Sequence, residues 1–254
     1  MTSAPPLVEV TLGPAVRAAF TTLGPRGEGY DLGLSTPDQP VDVLERRGRL
    51  AAWVGAPLAL TRQVHGASVH HCTEPPPDGV TVVATADAIV TRRTDVAVAV
   101  LVADCVPVLL VDVGARVAGV VHAGRRGLVD GVVQSTVDAL GSLGARPGEL
   151  QAVIGPAICG ECYEVPHAMQ QVVDDAVPGT ASTTTWGTPS LDLPEGVRRL
   201  LAAAKVDHVR QVGGCTLTDH RWYSHRGAEQ QGRPRGRLAG VVRLLPTAAP
   251  GQGA

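Results

Sequence analysis

Apolar runs broken by single polar residues dominate the middle of the chain. Residues 87–90, 96–102, 107–113 and 117–124 are Val-rich and short enough to be strands. Because they are apolar at successive positions rather than alternate ones, they read as strands covered on both faces. The stretches "VRAAFTTLG" (16–24) and "LALTRQVHGASVHHC" (58–72) read as further strands, the second with Gly66 as a bulge or tight turn. "LQAVIGPAI" (150–158), "HVRQVGGCT" (208–216) and "RGRLAGVVRLL" (235–245) complete the strand set. Helical spacing places Val41, Leu44, Leu50, Trp53 and Val54 on one stripe, which Gly55 and Pro57 end. Segments 128–144, 165–177 and 193–206 are the other predicted helices, the last with Pro194 in its first turn. "GPRGEGYDLGL" (24–34), "TEPPPDG" (73–79) and "ASTTTWGTPSLD" (181–192) read as loops, and "MTSAPP" as a frayed start.

Alternating strands and helices define an α/β or α+β class. No shift in composition marks an internal boundary and no fixed-period repeat is present, so residues 1–244 form one expected domain. Residues 245–254, Pro- and Gly-rich, form an expected disordered tail. With 254 residues, 44% apolar and 18% charged, the chain has an ordinary globular balance and enough length for a core. A net charge of -2 advertises neither nucleic acid nor an anionic membrane, and 3% aromatics leave no base-stacking platform. No apolar run is long enough to span a bilayer. Five cysteines, an odd number, in a chain without a leader pattern indicate free thiols and a cytoplasmic protein. A monomer is favoured over an oligomer.

Three polar residues stand at the ends of apolar runs, each just before a chain breaker. His65 precedes Gly66, Cys105 follows Asp104 and comes two before Pro107, and His122 precedes Ala123-Gly124. Run ends gather at one edge of a sheet, where side chains face a cleft on a rigid scaffold. Two imidazoles and a thiolate suit zinc, and three protein ligands leave a fourth position open, as catalytic sites do. The same residues also suit a nucleophilic Cys105 paired with His122 or His65. Both chemistries need a thiolate, so residue type does not separate them. Asp104 inside an apolar run argues for a site, because an unpaired buried carboxylate is costly. The "CGEC" of Cys159 and Cys162 reads as a loop with ordinary thiols, and His70, His71, His220 and His225 as surface histidines. No phosphate-binding or dinucleotide glycine fingerprint is present.

The ordered motifs "QVHG", "ADAIVT", "VLVADCVPVLLVD", "GVVHAGRRG", "IGPAICGECYEV", "LDL", "CT" and "YSHRG…GRLAGVVRL" resemble the YfiH-type family. Its members are also labelled laccase-domain, polyphenol oxidase or purine nucleoside phosphorylase proteins. The resemblance implies a single α/β/β/α sandwich, like the catalytic domain of the cytotoxic necrotizing factors. It implies zinc on His65, Cys105 and His122. It implies phosphorolysis of adenosine, inosine, guanosine and 5'-methylthioadenosine, together with adenosine deamination. Asp104 is expected either to hold a metal ligand in place or to serve as the acid–base group, with Cys105 and His122 in the catalytic set. Arg47, Arg126 and Arg226 are the expected phosphate or ribose contacts. The chain departs from the family pattern at Asp31 (usually Asn), Arg46, Arg125 (usually Trp) and Gly227 (usually Arg). Two rivals remain. A copper polyphenol oxidoreductase is disfavoured, because multicopper sites need many paired His and the chain holds eight in all. A hydrolase or amidase would use Cys105 as nucleophile.

Overall fold

The computed structural model describes residues 4–24 and 29–247. The start at residues 1–3, part of the 24–34 loop and the tail from 248 lie outside the described residues. Two six-stranded sheets are stacked face to face. The first holds, in spatial order, β1 (Leu7–Glu9), β2 (Val16–Thr21), β14 (Leu238–Leu244), β7 (Ala97–Val102), β3 (Leu58–Arg62) and β5 (Val80–Thr85). The second holds β13 (His208–Gln211), β10 (Gln151–Ile154), β8 (Val106–Asp112), β9 (Val117–Ala123), β6 (Ala88–Thr91) and β4 (Val69–His71).

Side-chain alternation explains the layers. Along β8, Val106, Val108 and Leu110 face one cluster while Leu109 and Val111 face the other. Along β7, Val98, Val100 and Val102 point between the sheets and Ala97 and Ala99 point outward. The outer face of the first sheet is covered by α1 (Pro40–Val54) through Leu50 and Val54. The outer face of the second is covered by α2 (Arg125–Val129), α3 (Val132–Ser142) and α5 (Leu193–Ala203), with α4 (His167–Ala176) beside them. Every central strand is therefore buried on both sides, as the unbroken apolar runs require, and the order of layers is helix, sheet, sheet, helix. Covering both faces does not need parallel strands here: β8 pairs antiparallel with both β9 and β10.

Phe20, the chain's single phenylalanine, is fully buried between the sheets. Its ring seats against Gly155 and Gly240, where an added Cβ would come within 2.3 and 2.9 Å of it. Phe20→Ala is expected to cost roughly 3–5 kcal/mol, because rigid sheets on both sides cannot collapse into the hole. Urea unfolding checks this; a loss under about 1 kcal/mol would mean the sheets slide together.

The structure differs from the sequence expectations in several places. The 128–144 helix is divided between two helices: Gly131 adopts φ 89°, which separates α2 from α3. The loop at 181–192 contains a small antiparallel hairpin, β11 (Ala181–Thr183) with β12 (Pro189–Leu191). The strand expected through Cys215 ends at Gln211, leaving Cys215 as an isolated bridge to Ala157. Residues 58–72 are two strands in different sheets. Neither β5 nor α6 (His225–Gln231), capped by the Ser224 hydroxyl, was signalled by periodicity.

Candidate metal centre

The three residues at run ends meet because the chain changes sheets there. Between β3 and β4, residues 63–68 leave the first sheet and enter the second, carrying His65. Between β7 and β8, residues 103–105 make the same passage, carrying Asp104 and Cys105. His122 comes in register at the end of β9, where it pairs with Pro107, two residues past Cys105. The imidazole nitrogens of His65 and His122 and Cys105 Sγ lie within 4.8 Å of one another. Cys105 Sγ is 3.7 Å from His65 Nε2, and the two rings stand edge to face with centroids 4.7 Å apart.

Both passages bend through unfavourable backbone. His65 has φ 59° and Asp104 φ 80°, the left-handed region that side chains resist. Each bend is held by a buried carboxylate. Asp87 accepts the backbone N–H groups of Val64, His65 and Gly66 at 3.1, 2.9 and 2.8 Å, and also binds His122 Nδ1 at 2.8 Å. That contact leaves Nε2 of His122 for the cluster. Asp104 accepts the Thr216 hydroxyl on one oxygen and the Arg226 backbone N–H on the other, both at 2.6 Å. Asp87 was not singled out as a site residue in the sequence; its signal was its place in "ADAIVT", one residue before an apolar strand.

Gly124 fits the cluster closely. A Cβ there would lie 2.6 Å from the His65 ring and 3.1 Å from Cys105 Sγ. Gly124→Ala is therefore expected to push His65 out of place and weaken metal binding about 10–100-fold, as loss of ligand orientation does elsewhere. Competition with a chelator measures it; unchanged affinity would show that His65 has room to give.

The electrostatics suit a thiolate. Burial opposes ionisation of Cys105, but the charges and hydrogen bonds of His122 and His65 outweigh it and bring the thiol down to about 6. Burial likewise opposes the charged form of His122, yet Cys105 and Asp87 raise it to about 9. In metal-free protein the thiolate's contribution to stability is complete above its ordinary 9.0 and lost as pH falls through about 6. That of His122 is complete below 6.5 and lost as pH rises through about 9. The bare site thus favours folding most between those limits. Alkylation of Cys105 by iodoacetamide in metal-free protein should be half-maximal near pH 6 and suppressed by added zinc. A midpoint near 9 would refute the ion pair.

A cleft with two lobes opens on the cluster. One, of about 340 Å³, is lined by Asp104, Arg125, Arg126, Ile158, Tyr163 and Arg226 among others. The other, of about 480 Å³, is lined by Leu34, Arg47, Gln63, Val82, Leu101 and Arg237 among others. His65, Cys105 and His225 border both. The structure thus separates the arginines: Arg126 and Arg226 share a lobe, and Arg47 lies in the other. Arg226 donates to the Glu164 carbonyl at 3.0 Å and sits over the Tyr163 ring at 5.4 Å. Arg47 spends Nε and Nη2 on the Leu32 carbonyl. His225 lines the cleft although it read as a surface residue.

Two departures from the family pattern have local explanations. Asp31 organises a turn, accepting from the N–H groups of Gly33 and Arg237 and from the Thr36 hydroxyl. At Gly227 the Arg233 stem fills the space, 2.8 Å from a hypothetical Cβ, and its guanidinium donates to the carbonyls of Thr216, Leu217 and Trp222.

The sandwich is the architecture of the YfiH and YlmD proteins. The YlmD structure from Geobacillus stearothermophilus superposes with a TM-score of 0.84 at 27% identity, over 97% of this chain and 98% of that one. The YfiH structure from Bacillus licheniformis superposes with a TM-score of 0.82 at 26% identity, over 95% and 97%. The family described as multi-copper polyphenol oxidoreductase laccase matches residues 15–245, and the chain belongs to it. Its relatives include the purine nucleoside phosphorylase ORF3 of Streptomyces griseus, 44% identical over 87% of this chain and 88% of that one. A purine nucleoside phosphorylase of Corynebacterium glutamicum is 40% identical over 90% and 94%. No helix among the described residues is long and apolar enough to cross a membrane.

Proposed function

We propose that the protein is a zinc-dependent purine nucleoside phosphorylase that also deaminates adenosine. The observation that carries the reading is a His–Cys–His donor set at the junction of two lobes that both carry arginines, the larger one with the more apolar wall, in a chain whose relatives are named purine nucleoside phosphorylase. In phosphorolysis a phosphate oxygen forms a bond to C1' of the ribose, the C1'–N9 bond breaks, and the purine leaves with the bonding pair and takes up a proton. Arg126 and Arg226 hold the phosphate, with Arg125 beside them, since guanidinium forks match phosphate oxygens. Leu34, Val82 and Leu101 give the other lobe an apolar wall for the base, with the buried Arg47 among its lining residues. His65, Cys105 and His122 would hold zinc, which supplies Lewis-acid charge when bound. Asp87 orients His122. Asp104, with both oxygens engaged, takes the positioning role, one of the two expected of it. In deamination water adds at C6 of adenosine and ammonia leaves.

The donor set favours zinc over copper oxidase chemistry. Among the described residues this is the one cluster that contains histidine, and multicopper catalysis needs several. The low-lying Cys105 thiol keeps a cysteine hydrolase as the second reading. Incubation with adenosine separates them. Adenine and ribose 1-phosphate formed only with phosphate and zinc support the phosphorylase. Inosine and ammonia support the deaminase. Turnover of neither, with an acyl adduct trapped on Cys105 by an activated ester, would replace both with the hydrolase.

A further inference from the structure

A second cluster lies outside the site described above. Cys159 and Cys162, from the "CGEC" turn, meet Cys215 from the loop after β13, and the three sulfur atoms lie within 4.8 Å of one another. All are free thiols. A tetrahedral ion with metal–sulfur bonds of about 2.3 Å needs sulfurs about 3.8 Å apart, so the trio needs little contraction. The turn is already formed: the N–H groups of Cys162 and Tyr163 both donate to the Cys159 carbonyl at 3.0 Å. Cys215 Sγ accepts the Cys159 backbone N–H at 3.4 Å. Ile158 and Leu217 bury the cluster with Cys162.

We propose that Cys159, Cys162 and Cys215 form a second metal site, for a soft thiophilic d10 cation, with zinc(II) as the occupant and one coordination position left to an outside ligand. Thiolate-rich sets select zinc or copper(I) over harder cations. The site has a structural purpose. Ile158 and Tyr163, flanking the turn, line the lobe that holds Arg126 and Arg226. Thr216, next to Cys215, holds Asp104. A cation here would tie together two loops that form the wall of the cleft. The inference stands independently of the reaction assigned to that cleft.

The test counts metal in reduced, full-length protein loaded with zinc and passed over a desalting column. Wild type should retain about two equivalents per chain, and Cys105→Ala and Cys162→Ser about one each. Cobalt(II) loaded into the Cys105→Ala protein should give a strong sulfur-to-cobalt charge-transfer band, which Cys162→Ser in the same background abolishes. That measurement needs no activity and survives a folding defect in any Cys215 variant. One equivalent in wild type, lost with Cys105 and indifferent to Cys162, would overturn the site. So would a Cys159–Cys162 disulfide, seen as a mass two hydrogens lower in protein purified without reductant and as refusal of cobalt. Preference for copper(I) over zinc in a chelator competition would keep the site and overturn its zinc assignment.

Discussion

Cys105→Ala is expected to strip the His65–Cys105–His122 site of its metal and to abolish phosphate-dependent release of adenine, while the fold persists. The reason is charge as much as geometry. Cys105 supplies the one anionic donor; without it two neutral imidazoles face the cation, and His122 loses the partner that raised its affinity for protons. Truncation removes a single sulfur from a half-exposed position beside the cleft, so packing changes little. Metal analysis, product assay and a thermal melt of the same preparation read the three consequences. Full turnover in the variant would sink both the metal-dependent assignment and the cysteine-nucleophile rival.

Asp87→Ala should do comparable damage without removing a ligand. Its carboxylate is fully buried and serves four donors: three successive N–H groups around His65 and Nδ1 of His122. Removing it frees the strained His65 backbone, at φ 59°, and lets His122 rotate. Metal affinity should fall about 10–100-fold. Stability should fall roughly 3–5 kcal/mol, as when one half of a buried ion pair is deleted. Asp87→Asn keeps the size and one acceptor oxygen and should recover part of the stability but little of the affinity. Isothermal titration with zinc and denaturant unfolding measure the two losses; equal values for Asn and Ala would show that the charge is not what matters.

The candidate site was legible in the sequence to an unusual depth for one physical reason. Polar residues at the exits of apolar runs are expensive unless they face a cleft, and His65, Cys105 and His122 all obey that pattern. Their company could be inferred, but not their geometry. Asp87 escaped notice because an aspartate before a strand is an ordinary boundary residue; its four donors come from residues 21–35 positions away. The third thiol of the second cluster was invisible for the same reason, since Cys215 meets Cys159 across 56 residues.

The run pattern by itself determined the class, the central strands, most helices and the coverage of both sheet faces, because local periodicity reports which side of an element is buried. The split at Gly131, the 181–191 hairpin and α6 were decided by tertiary contacts, where a turn conformation, a pairing partner or a cap outweighs weak local preference. The meeting of His65, Cys105 and His122 was decided there too. These residues meet because two chain passages cross from one sheet to the other, and which strands a run joins depends on long-range pairing that hydrophobic periodicity does not encode.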